Sequence, residues 1–365
     1  MSSQLQMEEY VTKRLFVKGN EAVAMGALEA GCRYYFGYPI TPQSDIPEYI
    51  SREMPALGGE FIQAESEIAS INMLLGASAC GARAMTSSSS PGISLKQEGI
   101  SYMAGSECPG LIVNICRSGP GLGGIDASQA DYFQAVKGGG HGGYHIIVLA
   151  PASVQEMYDL TMHAFDLSDR YRVPAMILAD AVIGQMKEAL EPHPYKAPAD
   201  LPPKDWALIG PGERDVNKVV KSLYLGVGEL EQHNLKLHRK YAQMQEHEVR
   251  YEGYELEDAH LVVTAYGSTA RIAHTAVRMA RQEGYKVGLL RPITLFPFPK
   301  QAYRDHTANG EKVLCVELNT GQMVDDVRLA VPQAEVEFYG RAPGAGSLPT
   351  PEELLAQIRL HCEVH

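Results

Sequence analysis

The chain has 365 residues, of which 45% are hydrophobic and 21% are charged, proportions that exclude disordered, collagenous and coiled-coil classes. Its formal charge of -12 repels nucleic acid and anionic lipid, and no apolar run approaches the roughly 18 residues of a membrane span. The start of the sequence lacks the apolar core of a signal peptide, so we expect a cytoplasmic two-domain protein with no nucleic-acid or membrane partner.

The region from residue 14 to residue 180 alternates short apolar runs with amphipathic segments, which predicts an α/β domain with a parallel sheet and helices on both faces. Most of the runs are apolar on both sides, as strands buried between two helix layers require. Helices are expected after the N-cap residues Asn20 and Ser44, and a capping box at Ser153 opens a helix to about Arg170. The strand candidates are RLFV, YYFG, EFIQ, ARAMT, GLIVNIC, HIIVLA and PAMILAD.

A connector follows over residues 191–258. Six prolines between Pro192 and Pro211 rule out a helix or a central strand there. From about Asn217 to Tyr251 the composition and spacing predict one long exposed helix that acts as a spacer or docks a partner. The histidines on this helix, His233, His238 and His247, are expected to be solvated.

A second α/β unit is predicted over residues 259–365, after a first domain over residues 12–190. Its strands are expected in HLVVTAYG, KVGLL, KVLCVEL and EVEFYG, with RPITLFPFP as a turn. Helices are expected from Ser268 to Arg281, from Gln322 and from Pro351.

Several familiar motifs are weak or absent. Gly119–Gly124 matches G-x-G-x-x-G, but no helix is predicted to start at its third glycine, so a surface loop is favoured over a dinucleotide site. His141 lies in a glycine-rich run that cannot hold a stable helix placing it and His145 on one face, which argues against metal ligation. The six cysteines lack C-x2-C spacing and are expected to be reduced thiols, with no metal or iron–sulfur cluster held by this chain.

Three loops at the carboxyl ends of predicted strands are more informative. They are the proline-stiffened YPITP loop at residues 38–42, the QAESE loop at residues 63–67, and TSSSSPG at residues 86–92. Ligands bind at the carboxyl ends of strands in open α/β sheets, so these neighbouring loops outline a site. Each loop alone has an ordinary explanation as a proline turn or a serine N-cap.

Together the three loops resemble the pyrimidine-binding domain of thiamine pyrophosphate enzymes, and more closely the alpha subunit of 2-oxoacid:ferredoxin oxidoreductases. The segments LLRPITLFPFP and VELNTGQM resemble the transketolase C-terminal-like domain of that family. SSSSPGISLKQEGISY and QADYFQAVKGGGHG are most similar to the branched-chain, 2-oxoisovalerate branch. The alternatives are the 2-oxoglutarate branch, which tends to have TSGPG in place of SSSPG, and a non-catalytic α/β scaffolding subunit.

The resemblance implies thiamine- and coenzyme A-dependent oxidative decarboxylation of a 2-oxo acid to an acyl-CoA, carbon dioxide and reduced ferredoxin. A carboxyl group at pyrimidine N1' promotes the imino tautomer of the cofactor, whose 4' nitrogen removes the thiazolium C2 proton. The matching residue is Glu67, and Glu65 is the alternative; burial would favour the activating role and exposure a solvated side chain. The other residues expected around the cofactor are Tyr38, Pro39, Ile40, Ser88 and Ser89.

The resemblance also assigns substrate and partner roles. Thr41 and Arg117 match the residues that bind the substrate's carboxylate and carbonyl, a task that suits the guanidinium fork. Lys96 and Lys137 could assist with the substrate or coenzyme A but are expected to be solvated surface lysines. The GDG pyrophosphate motif is absent. A beta subunit is therefore expected to supply the pyrophosphate site, magnesium and an iron–sulfur cluster, together with gamma and ferredoxin-like delta subunits.

Overall fold

The protein is described here from a computed structural model that covers residues 14–210, 212 and 217–362. The predicted domain ends at residues 12–13 and 363–365, and Pro211 of the connector, lie outside the described residues. The strands are β1 (Leu15–Lys18), β2 (Tyr34–Gly37), β3 (Glu60–Gln63), β4 (Ala84–Ser88), β5 (Gly110–Cys116), β6 (Ile147–Leu149), β7 (Pro174–Asp180), β8 (Lys187–Leu190), β9 (Tyr251–Tyr254), β10 (Leu261–Thr264), β11 (Val287–Pro292), β12 (Thr294–Phe296), β13 (Lys312–Glu317) and β14 (Val336–Gly340).

The helices pack on both faces of two of the sheets. They are α1 (Gly19–Glu29), α2 (Asp45–Glu53), α3 (Glu67–Ala79), α4 (Ser90–Gly105), α5 (Tyr132–Val136), α6 (Val154–Tyr171), α7 (Ala181–Gln185), α8 (Glu229–His247), α9 (Gly267–Gln282), α10 (Lys300–Asp305), α11 (Met323–Ala330) and α12 (Pro351–His361). Within the part of the chain that the structure describes, no helix has both the length and the apolar composition needed to cross a bilayer.

The first sheet has seven strands in the order β12-β6-β7-β5-β4-β2-β3. Its chain-consecutive strands are parallel, and β4, β5 and β7 are buried along their whole length. The mainly apolar sequences of β5 and β7 predict this burial. The parallel sheet predicted for the first region is therefore confirmed for six of its seven candidate strands. Its helices are also confirmed, and the Ser153 hydroxyl accepts a hydrogen bond from the Glu156 amide at the start of α6.

The prediction for the seventh candidate strand was wrong. RLFV forms β1, which pairs antiparallel with β8 in a separate two-stranded sheet. Its Phe16 is 70% exposed, so the run does not have the two buried faces of a central strand. The predicted N-cap was also wrong, because α1 starts at Gly19 with Lys18 as its N-cap, and Asn20 is buried in the first turn. There the Asn20 amide donates to the Pro42 carbonyl at 2.9 Å and fixes the loop after β2.

The second sheet has the order β14-β13-β10-β11-β9 and is parallel except for β9 at one edge. The segment RPITLFPFP, predicted to be a turn, instead provides the end of β11 and all of β12. Strand β12 leaves the second unit and pairs antiparallel with β6 at the edge of the first sheet. The two units thus share a sheet.

The connector helix α8 is shorter and less exposed than predicted. It spans Glu229–His247, and Leu237, Tyr241 and Met244 form a buried face against the first unit. Burial would raise the pKa of the Glu107 carboxyl, but ion pairs with Lys240 and Lys236 of α8 outweigh that effect and hold the pKa at about 2. The helix is therefore anchored by both packing and charge.

The histidines expected to be solvated on α8 behave differently from one another. His238 and His247 are exposed, as predicted. His233 is half-buried instead, because its Nε2 lies 2.7 Å from the Gly105 carbonyl and its ring stacks on Tyr224. The expectation was therefore wrong for His233, which helps to attach α8 to the end of α4.

Candidate active site

The loops singled out from the sequence lie side by side because of the strand order. The strands β5, β4, β2 and β3 are neighbours in the parallel sheet, so their carboxyl ends share one edge. Arg117 follows β5, the serine-rich turn follows β4, the YPITP loop follows β2, and Glu67 follows β3. The topology brings these predicted residues to the same edge of the sheet.

Glu67 is the first residue of α3 and is only 7% exposed. The preceding Ser66 caps the helix, and its hydroxyl accepts a hydrogen bond from the Ala69 amide at 3.1 Å. This cap fixes the direction in which the Glu67 side chain leaves the helix, toward the start of α4. Glu65 lies two residues earlier, outside the helix, and is exposed. Burial thus separates the two candidate carboxylates.

Gly92, in the first turn of α4, is in close contact with the Glu67 carboxylate. A Cβ atom at this position would be 2.8 Å from Glu67 Oε1 and 2.1 Å from Ser88 Oγ. Only glycine allows the carboxylate, the end of β4 and the helix start to approach so closely.

The hydroxyls of Ser88 and Ser89 come from the end of β4, immediately before α4. Both are fully buried, and among the described residues neither has a hydrogen-bond partner. Buried hydroxyls are normally paired, so these two are available to a ligand. A buried carboxylate and two unpaired hydroxyls are groups that can form hydrogen bonds with the ring nitrogens and the amino group of a ligand.

Arg117 is buried, and the structure brings it together with Thr41. One guanidinium nitrogen donates to the Thr41 carbonyl at 3.0 Å and another donates to the Leu122 carbonyl at 3.1 Å. The Arg117 amide also donates to the Ser90 hydroxyl at 3.0 Å, and its Nε has no partner among the described residues. The arginine therefore ties the YPITP loop to the turn after β4.

The YPITP loop has a buried polar support behind it. The Tyr35 and Ser87 hydroxyls are 2.6 Å apart, Ser87 donates to Gln43 Oε1 at 2.5 Å, and Gln43 donates to the Tyr38 carbonyl at 3.4 Å. The loop itself faces outward: Tyr38, Pro39 and Thr41 are exposed and Ile40 is half-buried. These side chains form the open mouth of the site.

The prediction of solvated lysines was wrong for Lys96. Its side chain is 0% exposed and lies between α3 and α4, directly behind Glu67. Sequence reasoning missed this position, although Ile93 and Ile100 place Lys96 on a buried stripe of the helix. Lys137 is exposed, as expected, and its ammonium is paired with Asp326 of the second unit.

The glycine-rich match to a dinucleotide motif is a loop in the structure, as the sequence analysis favoured. No helix starts at its third glycine, and the next helix is the short α5. Arg117 and Ala127 form an isolated bridge that closes this loop back on itself. The loop covers Arg117 instead of presenting a helix terminus to a phosphate.

Known proteins match this chain over nearly its whole length. Residues 25–257 match the family described as "pyruvate flavodoxin/ferredoxin oxidoreductase, thiamine diP-bdg", and residues 259–354 match "pyruvate:ferredoxin oxidoreductase core domain II". The chain is 53% identical to ketoisovalerate oxidoreductase subunit VorB of Methanothermobacter marburgensis, covering 94% of this chain and 96% of that protein. It is 38% identical to 2-oxoglutarate synthase subunit KorA of Methanothermobacter thermautotrophicus, covering 95% and 99% respectively.

Solved structures agree with these sequence matches. The 2-oxoglutarate:ferredoxin oxidoreductase from Magnetococcus marinus, with 2-oxoglutarate, coenzyme A and succinyl-CoA bound, is similar with a TM-score of 0.86 and 26% identity. That match covers 95% of this chain and 65% of the solved chain. A split-gene transketolase shares the fold at a TM-score of 0.60 and 13% identity, covering 94% of this chain and 98% of the transketolase chain.

Proposed function

This chain belongs to the pyruvate flavodoxin/ferredoxin oxidoreductase family as an alpha-type subunit of a 2-oxoacid:ferredoxin oxidoreductase, and we propose that its substrate is a branched-chain 2-oxo acid such as 2-oxoisovalerate. The observation that carries this proposal is the higher identity to the ketoisovalerate subunit, 53%, than to the 2-oxoglutarate subunit, 38%. The products are an acyl-CoA, carbon dioxide and reduced ferredoxin.

The first role of the chain is to hold the pyrimidine half of thiamine pyrophosphate, a cofactor that supplies the carbanion chemistry when it is bound. Glu67 is the residue we assign to pyrimidine N1', since its carboxylate is buried and lies against Gly92 at the start of α4. The hydroxyls of Ser88 and Ser89 are available to the polar atoms of the ring. A carboxylate kept from water shares a proton with a ring nitrogen more readily than an exposed one does.

The second role is to hold the 2-oxo acid. The side chain of Thr41 is exposed at the site mouth, and Arg117 lies directly beneath its carbonyl. We assign the substrate carboxylate to Arg117 and Thr41, because a guanidinium with a free Nε can take a carboxylate oxygen while its other nitrogens hold the loop. In this arrangement, substrate binding and loop position depend on the same arginine.

Partner subunits complete the site in this proposal. The sequence lacks the GDG motif that holds pyrophosphate through a metal ion. A beta subunit would supply the pyrophosphate site, magnesium and an iron–sulfur cluster, and gamma and ferredoxin-like delta subunits would complete the complex. Coenzyme A is the proposed acyl acceptor and ferredoxin the proposed electron acceptor.

The decisive experiment is to purify the complete complex and to measure kcat/KM for a panel of 2-oxo acids with coenzyme A and a low-potential dye. We expect 2-oxoisovalerate to exceed 2-oxoglutarate by at least ~100-fold, since an unpaired distal carboxylate costs several kcal/mol to bury. Comparable values for the two acids would overturn the branched-chain assignment. Absence of turnover with every 2-oxo acid would favour a scaffolding role instead.

The divided cofactor site has its own test. The chain without its partner is expected to bind thiamine pyrophosphate weakly and to show no turnover, and both should be restored when the beta subunit is added. Micromolar binding to the chain alone, measured by titration calorimetry, would contradict the divided site.

A further inference from the structure

Lys96 is a buried lysine to which the proposed reaction assigns no role. It lies in the second turn of α4, where its side chain is completely enclosed between α3 and α4. Among the described residues, no carboxylate oxygen forms an ion pair with its ammonium group. Charged side chains are almost never fully buried without such a pair, so this position calls for an explanation.

The hydrogen bonds of Lys96 lead to the backbone of Glu67. Its Nζ donates to the Glu67 carbonyl at 3.3 Å and also to the hydroxyl of Ser70. The Ser70 hydroxyl donates in turn to the same Glu67 carbonyl at 2.9 Å. Lys96 and Ser70 therefore clamp the first turn of α3, the turn that directs the Glu67 carboxylate into the site.

The charges of Lys96 and Glu67 are coupled as well. Burial lowers the pKa of the Lys96 ammonium to about 7, and the negative charge of Glu67 opposes that shift. Within the described part of the chain, Glu67 is the one charged group whose field acts on Lys96; neither α4 itself nor the strands beneath it contribute another. The protonation of Lys96 therefore depends on the charge of Glu67.

We propose that Lys96 is a positioning residue for Glu67: it clamps the first turn of α3 and gives up its proton when Glu67 is neutralised by the pyrimidine. This inference rests on the proposed function, since it requires Glu67 to meet a pyrimidine nitrogen. The proton balance is simple. One proton enters the contact between Glu67 and N1', and the loss of negative charge releases part of a proton from Lys96 to solvent.

This coupling predicts a minimum near pH 7, here called the dip, in the number of protons that the complex takes up when thiamine pyrophosphate binds. Near pH 7 the release from Lys96 offsets roughly half of the proton taken up at Glu67, if the coupling is about one pKa unit. Well below or above pH 7, Lys96 stays charged or stays neutral throughout, so the offset disappears. A residue with only a structural role would change cofactor affinity without changing this pH dependence.

The test measures protons taken up per site when thiamine pyrophosphate binds to the complete apo complex, by calorimetry in buffers of different ionisation enthalpy between pH 5.5 and 9. The wild type should show the dip near pH 7, and Lys96→Met should abolish it. Ser70→Ala, which weakens the clamp but keeps the charge, should lower affinity several-fold and retain the dip. Lys312→Met, which removes a surface ion pair with Glu335 in the second unit, is the matched control and should behave like the wild type.

The outcomes separate this inference from the proposed function. An unchanged dip in Lys96→Met, or unchanged affinity in Ser70→Ala, would overturn the role of Lys96 while the cofactor site stands. If the wild-type complex does not bind thiamine pyrophosphate, the proposed function itself fails. If Lys96→Met folds poorly, Lys96→Gln removes the same charge with a side chain that can still donate to Ser70, and loss of the dip is expected there too.

Discussion

Replacing Gly92 by alanine is the most direct test of the candidate site, because the added methyl group enters the space between two predicted site residues. The new Cβ would lie 2.1 Å from Ser88 Oγ and 2.8 Å from Glu67 Oε1, whereas ordinary contact begins at 3.4 Å. Ser88 Oγ must therefore move by about 1.3 Å (3.4 minus 2.1) or the start of α4 must shift. Overpacking of this kind costs about 1 to 3 kcal/mol, offset by the roughly 1 kcal/mol that alanine gains over glycine in a helix.

The free energy of unfolding should consequently fall by no more than about 2 kcal/mol, whereas activity should fall greatly. A misplacement of about 1 Å at a reacting centre costs on the order of 100-fold in rate, so we expect kcat/KM for 2-oxoisovalerate to fall by roughly that factor. The assay is turnover by the complete complex, combined with thermal unfolding. The matched control is Gly76→Ala in α3, where a Cβ meets no atom within 4 Å. It should keep full activity and gain up to about 1 kcal/mol of stability. Wild-type kcat/KM in Gly92→Ala would refute the close approach on which the site depends.

Five further substitutions test the candidate site and the charged groups around it. Glu67→Gln should abolish hydrogen exchange at the cofactor's C2, followed by NMR, without preventing complex assembly, whereas Glu65→Gln should have a mild effect; the reverse order would exchange their roles. Arg117→Met should lower kcat/KM by roughly ten- to a hundredfold for every 2-oxo acid alike, because all share the carboxylate; a loss confined to one substrate would contradict this. Lys96→Met should raise the free energy of unfolding at pH 7 by at most about 5 kcal/mol, measured by urea unfolding, since the folded state holds the lysine pKa at about 7 instead of 10.5. That advantage should vanish as the pH rises from 7 to 10.5, and a constant difference would be inconsistent with it. Glu107→Gln should lower the free energy of unfolding by about 3 kcal/mol at neutral pH, because the ion pairs with Lys236 and Lys240 are lost. The wild type loses this contribution as the pH falls from about 4.5 to 2, so acid-unfolding curves of the variant should lack that part of the pH dependence. Identical acid-unfolding curves for the two proteins would count against the ion pairs.

The central strands were predictable because both of their faces are buried. A run such as GLIVNIC can avoid water only between two layers, and β5 is buried at every position. RLFV does not meet that condition, since its Phe16 is 70% exposed. The three residues of β12 carry no signal that says which sheet they join. That choice depends on the free edge of β6, more than 140 residues earlier in the chain.

The candidate site was predictable to the extent that strand ends can be located. The loops containing Thr41, Glu67 and Ser88 follow recognisable strands, and parallel topology places them together. Lys96 could not be assigned from its residue type, because a lysine in a helix is normally solvated. Its helical spacing from Ile93 and Ile100 is the signal that pointed to burial, and the packing of α3 against α4 shows that it is enclosed. The hydrogen bonds of Arg117 to backbone carbonyls likewise depend on loop conformation, which the sequence pattern does not specify.

The pairing of β12 with β6 has a consequence for the order of events on the ribosome. Strand β6 ends at Leu149 and β12 begins at Thr294, so 145 residues (294 minus 149) separate the two partners. At ~5 to 20 residues per second, the nascent first unit waits roughly 7 to 30 s with that sheet edge unpaired. An unpaired edge is a template for association with other chains. In a nascent chain the edge of β6 therefore stays exposed until β12 has been synthesised.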